Sequence, residues 1–256
     1  MPEERPSIKN LILASLPRGE HERLLPQMEF VPLALGEALY KSGERIEHVY
    51  FPGNALVSLA THMKGGATIE VGLIGRDGMV GVPVLLGDDI SFEQAVVRIP
   101  GGAMRMRSEA LKKELKKGHS PILTLLLLYT RRLMKQVAQT AACNRRHTVE
   151  KRLARWLLMC RDLTESDELP LTQEFISGML GTRRAGVSSA AVGLQEERFI
   201  RYSRGRISIL NREGLEGVAC ECYQLLKGEN ETASKSAPWP ARGRRRQSEP
   251  RSSGSV

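Results

Sequence analysis

In the stretch Leu171–Leu194, LTQEFISGMLGTRRAGVSSAAVGL, two arginines, Arg183 and Arg184, directly follow a glycine turn. Guanidiniums at the start of a helix are the donors that pair with guanine edges or with phosphates. The flanking residues supply such a helix. Thr172, after Pro170, reads as an N-cap, with Gln173 and Glu174 in the first turn. Phe175, Ile176, Met179 and Leu180 fall at helical spacing and face a core. Gly181 is the turn residue, free to take a positive φ. Thr182 then caps a second helix whose Val187, Ala190, Ala191 and Leu194 form a buried stripe. A helix-turn-helix lays the first residues of its second helix in the major groove of DNA. The alternative for the same residues is an ordinary αα-hairpin with solvated arginines.

Other reactive side chains are fewer. Cys143 and His147 stand four apart, a ligand spacing on a helix, but a zinc site needs about four ligands. The other nearby candidates are His119 and Cys160, and no metal site is expected. Cys220 and Cys222, read as part of one helix, point away from each other. No disulfide is expected between them, and an exposed thiol sensor is the alternative. His48 and His62 lie on predicted strands and are expected to be surface or hydrogen-bonded histidines. No Walker loop, strand-embedded G-x-G-x-x-G, His-Glu-x-x-His or G-x-S-x-G occurs. GRDGMVG, from Gly75 to Gly81, lacks the lysine of a phosphate cradle and reads as a turn. The sequence therefore predicts no catalytic residues, no enzyme activity and no cofactor.

Charge bears on the partner. The 256 residues carry a formal net charge of +9, which favours an anionic partner, nucleic acid before acidic membrane. Residues 1–119 hold 15 Lys+Arg against 15 Asp+Glu, whereas residues 120–227 hold 17 against 11 and residues 228–256 hold 6 against 3. The excess lies in the part that contains the two arginines. No secretory signal is recognisable, the apolar run Ile122–Tyr129 is too short to span a membrane, and the four cysteines make no disulfide framework. A cytoplasmic location is expected.

The elements that must position these residues follow from periodicity. Residues 7–26 read as helical with a break at Pro17-Arg18-Gly19. Short runs rich in β-branched and aromatic residues then appear at Glu29–Leu33, Ala38–Tyr40, His48–Phe51, Ala55–Thr61, Thr68–Ile74, Gln94–Ile99 and Ala103–Arg107. Glycine turns separate them, including Gly65-Gly66, so an antiparallel barrel or sandwich is predicted. GMVGVPVLL, Gly78–Leu86, inserts one short helical turn. Ser108 caps a helix ending at Gly118. A long helix runs from Pro121 to about Ala142, with one stripe at Leu126, Tyr129, Leu133, Val137 and Ala141 and a second at Leu123, Leu127, Met134 and Ala138. The second face pairs with another copy of the chain or packs on intramolecular neighbours. Thr148 to about Leu163 forms a further helix, and Thr164–Glu168 a charged loop. Phe199–Tyr202 and Arg206–Leu210 flank Ser203-Arg204-Gly205 as a tight hairpin. Asn211 caps a last helix, REGLEGVACECYQLL. From about Gly228 the chain is expected to be disordered. Its arginines, Arg242 to Arg246, either add phosphate contacts or form a solvated end.

This order resembles the Crp/Fnr family of bacterial transcription regulators over about residues 10–226. The most specific likeness lies in Leu171, Thr172, Ile176, Leu180, Gly181, Arg184, Val187, Leu194, Phe199 and Ile200, which match the family's helix-turn-helix and wing pattern. Two positions depart from it: Ala185 stands where many members have a glutamate that accepts from cytosine, and Ser189 where many have an arginine for guanine. The resemblance implies an α+β fold with an N-terminal antiparallel β-roll of the double-stranded β-helix or jelly-roll type. It implies a roll over residues 1–118, a dimerisation helix over 119–146, a winged helix-turn-helix over 147–227 and a disordered basic tail over 228–256. The expected function is a homodimeric regulator on a near-palindromic operator, with double-stranded DNA and RNA polymerase as partners and no membrane. Thr172, Gln173, Thr182, Arg183, Arg184, Ser188 and Ser189 would meet DNA, with Arg204 and Arg206 on the wing. The alternative is a cyclic-nucleotide-binding-like interaction module without specific DNA binding. The family's roll often holds a cyclic nucleotide, through a glutamate on the ribose and an arginine on the phosphate. Here Gly81 matches, but Val82 replaces the glutamate, and Glu93-Gln94-Ala95 occupies the place of Arg-(Ser/Thr)-Ala. A carboxylate facing the phosphate repels it, so cyclic AMP and GMP are not expected as ligands, and any effector is left open. Some members hold an iron–sulfur cluster on cysteines near the N-terminus; here no cysteine precedes Cys143.

Overall fold

The computed structural model describes residues 10–64, 68–117 and 120–227. The expectations for Gly65-Gly66, Gly118, His119 and the tail after residue 227 lie outside the described residues. Two short helices, α1 (Leu11–Ala14) and α2 (Arg18–Leu24), lead into strands β1 (Met28–Leu33), β2 (Ala38–Tyr40), β3 (His48–Pro52), β4 (Leu56–His62) and β5 (Thr68–Ile74). After the single helical turn α3 (Val82–Leu85) come β6 (Gln94–Ile99) and β7 (Gly101–Arg107). These strands form two antiparallel sheets, in the orders β1-β7-β3 and β2-β6-β4-β5. Alternating apolar side chains, among them Phe51, Val57, Leu59, Ile74, Ala95, Val97 and Met106, fill the space between the sheets. This is a β-roll of the cyclic-nucleotide-binding type.

Helix α4 (Ser108–Leu115) follows without a break. Contrary to expectation, Ser108 does not cap it. Arg107 occupies the N-cap instead, and the Ser108 hydroxyl donates to the Ile46 carbonyl at 2.6 Å, an alternative use of a short polar side chain. Helix α5 (Pro121–Arg146) runs one turn past the expected end at Ala142. Ile122, Leu126, Tyr129 and Leu133 bury one face against the roll, where Gln136 bridges the backbone of Leu73. The rest of the anticipated stripe does not follow: Val137 and Ala141 are exposed, and it is Gln136, Thr140 and Asn144 that continue the contact with β5. Leu127 and Met134 are 50% and 69% exposed, so within one chain the second apolar face is uncovered.

Helix α6 (Val149–Thr164) starts at the Thr148 cap and buries Leu153, Trp156, Leu157 and Cys160 as expected. Strand β8 (Glu168–Leu169), helix α7 (Gln173–Leu180), helix α8 (Arg184–Glu196), strands β9 (Ile200–Ser203) and β10 (Arg206–Ile209) and helix α9 (Arg212–Val218) complete the unit. Its three-stranded sheet has the order β8-β10-β9. The residues expected to form a loop include Glu168, which belongs to β8; a two-residue strand paired only through Ile207 and Ser208 has no periodicity to announce it. The expected last helix is also broken. It ends at Val218 with Ala219 extended (ψ 148), and helical structure resumes only at 222–227. Cys220, Cys222 and Tyr223 are all buried. One helix would spread those three positions around most of its circumference, so the chain must turn to bury them together.

The two units share a core. Leu56, Leu73 and Ile99 of the roll pack in one cluster with Trp156, Ile176, Met179 and Leu180. Trp156 Nε1 donates to Glu70 Oε1 at 2.8 Å, and the Arg98 guanidinium lies 4.9 Å from the centre of the Phe175 ring. Burial pushes the Glu70 carboxyl up to about 8 against the opposing effects of Trp156, Arg98 and Arg155, which keeps it protonated at neutral pH. Gly75 allows close approach here: a Cβ on it would lie 2.6 Å from Leu163 Cβ. No helix among the described residues is long and apolar enough to cross a membrane.

Candidate nucleic-acid interface

The helix-turn-helix is built by local rules. The Thr172 hydroxyl accepts from the Phe175 amide at 3.2 Å and so caps α7. Gly181, in the left-handed region at φ 57, closes the C-terminus, with its own amide and that of Thr182 returning to carbonyls of the last turn. Buried Arg152 from α6 donates to the Leu180 carbonyl. Thr182 does not cap α8 as expected. Arg183 holds the N-cap position with no side-chain cap, which leaves the amides of the first turn free of a side-chain partner.

The first turn of α8 is therefore a positively polarised helix end with two guanidiniums on it. Arg183, Arg184, Ala185 and Ser189 are exposed, and Ser188 is half-buried. Val187, Ala190, Ala191 and Leu194 are buried against α6, so the opposite face must point outward. Ser188 donates to Gln173 Oε1 at 2.8 Å. That bond locks α8 to the start of α7, and in this conformation it occupies Ser188 and Gln173 with each other.

The wing is tied to the same face. β9 and β10 pair from Arg206–Ser203 to Ile209–Ile200 around the two-residue turn Arg204-Gly205. Both turn residues have positive φ (49 and 73), the twist that matches a two-residue hairpin. The Gln173 amide donates to the Tyr202 hydroxyl at 2.9 Å, and the Tyr202 amide to Gln195 Oε1 at 2.7 Å. Tyr202 thereby fixes the wing to both α7 and α8. Arg204 and Arg206 are exposed, as is Arg201, which sequence reading passed over although strand alternation with inward Ile200 places it outside.

Arg18, Arg45, Arg105, Arg161 and Arg212 each pair with a carboxylate. Not every arginine is held by a carboxylate: among the described residues exposed Arg107, Arg145, Arg146 and Arg198 are not. Among the described residues Arg183, Arg184, Arg201, Arg204 and Arg206 have no such partner. Five unpaired guanidiniums on one helix start and its wing make a surface suited to a polyanion.

The degenerate pocket positions are also placed. Gly81, at φ 105, precedes α3, and Val82 is buried. Glu93 is buried near the Tyr40 phenol and the Gly81 backbone, and burial raises its carboxyl above the usual range. Gln94 opens β6 opposite Ala60. His62 Nδ1 bonds the Thr68 hydroxyl at 3.0 Å, and His48 lies beside Tyr50.

Roll, long helix and winged helix-turn-helix together are the fold of the Crp/Fnr transcription regulators. A family model of the Crp-like helix-turn-helix domain matches residues 151–218, from α6 through α9. Among solved structures, FixK2 of Bradyrhizobium japonicum is 19% identical over 75% of this chain and 98% of its own, with a TM-score of 0.64. A transcriptional regulator of the CRP family from Thermus thermophilus is 20% identical, over 74% of this chain and 96% of its own, with a TM-score of 0.62. The c-di-GMP-responsive global regulator CLP of Xanthomonas campestris is 15% identical, over 75% and 99%, with a TM-score of 0.61. No curated protein matches the chain by sequence.

Proposed function

We propose that the chain is a DNA-binding transcription regulator of Crp/Fnr type that acts as a homodimer on a near-palindromic operator. The observation that carries this reading is the set of five exposed arginines without a carboxylate partner on the start of α8 and on the wing that Tyr202 ties to it. Arg184 reads a base, Arg183 and the wing arginines Arg204 and Arg206 hold phosphates, and Thr172, Gln173, Thr182, Ser188 and Ser189 line the same face. The uncovered face of α5, with Leu127, Met134, Val137, Ala138 and Ala141, pairs two subunits. A two-fold axis then sets half-sites about one helical turn apart. RNA polymerase is the partner expected of such a regulator, and the cytoplasm its compartment.

A gel shift on genomic fragments across a salt series tests the reading. Expected is sequence-preferring binding whose affinity falls steeply with salt. Binding without preference, or none, would favour an interaction module instead.

The roll is proposed not to take cyclic AMP or GMP. Val82 offers no acceptor for a ribose hydroxyl, and the buried Glu93 sets a carboxyl where a phosphate would need a cation. Calorimetric titration with either nucleotide at micromolar concentration should give no binding heat; a saturable isotherm would overturn this.

A further inference from the structure

Far from the arginine surface, four potential metal ligands from two distant parts of the chain meet at the corner between α5 and α6. Cys143 comes from the last turns of α5, and His147 stands directly after that helix. Cys220 lies in the turn that breaks the last helix, and Cys222 opens the helical segment that follows it. The expectation that Cys220 and Cys222 point apart assumes a continuous helix, and across the turn they converge. Cys143 Sγ lies 3.5 Å from Cys220 Sγ, and Cys222 Sγ lies 3.6 Å from His147 Nδ1. All four ligand atoms fall within 4.8 Å of one another. Of the two further candidates read from the sequence, Cys160 belongs to the core with Trp156 and takes no part, and His119 lies outside the described residues.

We propose that Cys143, His147, Cys220 and Cys222 form a closed Cys3His site for Zn2+. Zn–S bonds of about 2.3 Å and a Zn–N bond of about 2.0–2.1 Å in a tetrahedron put sulfur atoms about 3.8 Å apart and sulfur about 3.6 Å from nitrogen. The Cys143–Cys220 and Cys222–His147 pairs, at 3.5 and 3.6 Å, stand within about 0.3 Å of those separations, and every other pair lies within 4.8 Å, about 1 Å from closing the tetrahedron. The thiols are 0%, 3% and 1% exposed and form a cluster separate from both main cores. Four protein ligands leave no open position, as in a structural rather than a catalytic zinc site.

The surrounding groups suit a metal as well. His147 Nε2 lies 3.2 Å from Glu221 Oε1, so the ring can donate Nε2–H to the carboxylate and turn the Nδ1 lone pair toward the thiols. Gln139 Nε2 donates to Cys222 Sγ at 3.0 Å, an acceptor bond that a thiolate strengthens. On loading, three thiol protons leave to solvent as three Zn–S bonds form, and the imidazole binds neutral. Three thiolates and Zn2+ leave one net negative charge, facing the buried guanidiniums of Arg152 and Arg155. A Cys143–Cys220 disulfide, by contrast, would need an oxidant and would leave Cys222 and His147 without a role.

The site clamps the end of α5, and with it the corner into α6, to the segment that follows α9. Cys143 and Cys220 are 77 residues apart, so the metal links the two ends of the winged helix-turn-helix unit.

The test is metal analysis of the full chain purified under reducing conditions, then titration with Co2+ against a competing chelator. One zinc per chain is expected, and cobalt should give thiolate-to-metal charge transfer with four-coordinate d–d absorption. Cys143→Ser and Cys222→Ser should lose the zinc, and Cys160→Ser should keep it. Glu221→Gln should weaken affinity about 10- to 100-fold while leaving the cobalt spectrum four-coordinate. Should the serine variants fail to fold, thiol counting on the wild type decides: chelation should expose three thiols that the loaded chain protects. Absence of both zinc and a cobalt charge-transfer band, metal retained in both serine variants, or a Cys143–Cys220 disulfide in the fresh chain overturns the proposal.

Discussion

Replacing Arg184 by alanine is expected to weaken specific operator binding about 5- to 150-fold, equivalent to about 1–3 kcal/mol for one lost bidentate base contact. Arg184 is the first residue of α8 and has no carboxylate partner among the described residues. Its side chain is exposed, so truncation removes no packing. Alanine is also the best helix former, and the thermal midpoint should hold. Binding to unrelated duplexes should fall less than operator binding. Arg183→Ala supplies the contrast: as a phosphate contact it should weaken both classes alike and lower the salt slope by about one. Equal losses on operator and unrelated DNA for Arg184→Ala would reassign that residue to the backbone. Full retention of affinity would take it out of the interface.

The double variant Leu127→Glu with Met134→Glu is expected to convert a dimer into a 28.4 kDa monomer in sedimentation. Both residues are at least half exposed in the single chain, and they stand seven apart, on one seam of α5. Near a two-fold axis each new carboxylate would face its own copy across a desolvated seam, which costs far more than at a free surface. Glutamate is a good former of exposed helix, and the inner face at Ile122, Leu126, Tyr129 and Leu133 is untouched, so the monomer should fold. Losing the second half-site removes an intramolecular binding event, for about 10²- to 10⁴-fold in operator affinity. A wild type that is already monomeric, or a variant that still dimerises, would separate α5 from subunit pairing.

Much of the architecture is legible in the sequence because local signals agree. Glycine turns between runs of period two mark every strand of the roll to within a few residues. Pro17 and Pro121 mark helix limits, and Gly181 takes the positive φ that its place between two periodic segments calls for. What escapes is non-local. Strand β8 exists only because β10 lies beside it. The shared core of Glu70, Trp156 and Phe175 joins segments about ninety residues apart or more, which no window of periodicity spans. The cysteine cluster is hidden for a specific reason. Apolar periodicity carries through Ala219 as if in one helix, and a break of three residues there reverses where Cys220 and Cys222 point. The interface itself divides the same way. That Arg183 and Arg184 lie at an exposed helix start can be read from spacing, whereas the Ser188–Gln173 bond that ties α7 to α8 requires coordinates. Ala185 and Ser189 remove the ionic readers on which a base code could have been argued.

Selection of bound duplexes from a random-sequence pool by the purified full-length chain, followed by sequencing, tests the central claim most directly. Enrichment of an inverted repeat is expected, with half-sites centred about 10–10.5 base pairs apart and a guanine at the Arg184 contact in each. A pool that stays unenriched, or one that yields only a single unrepeated motif, would contradict a homodimeric operator-reading regulator.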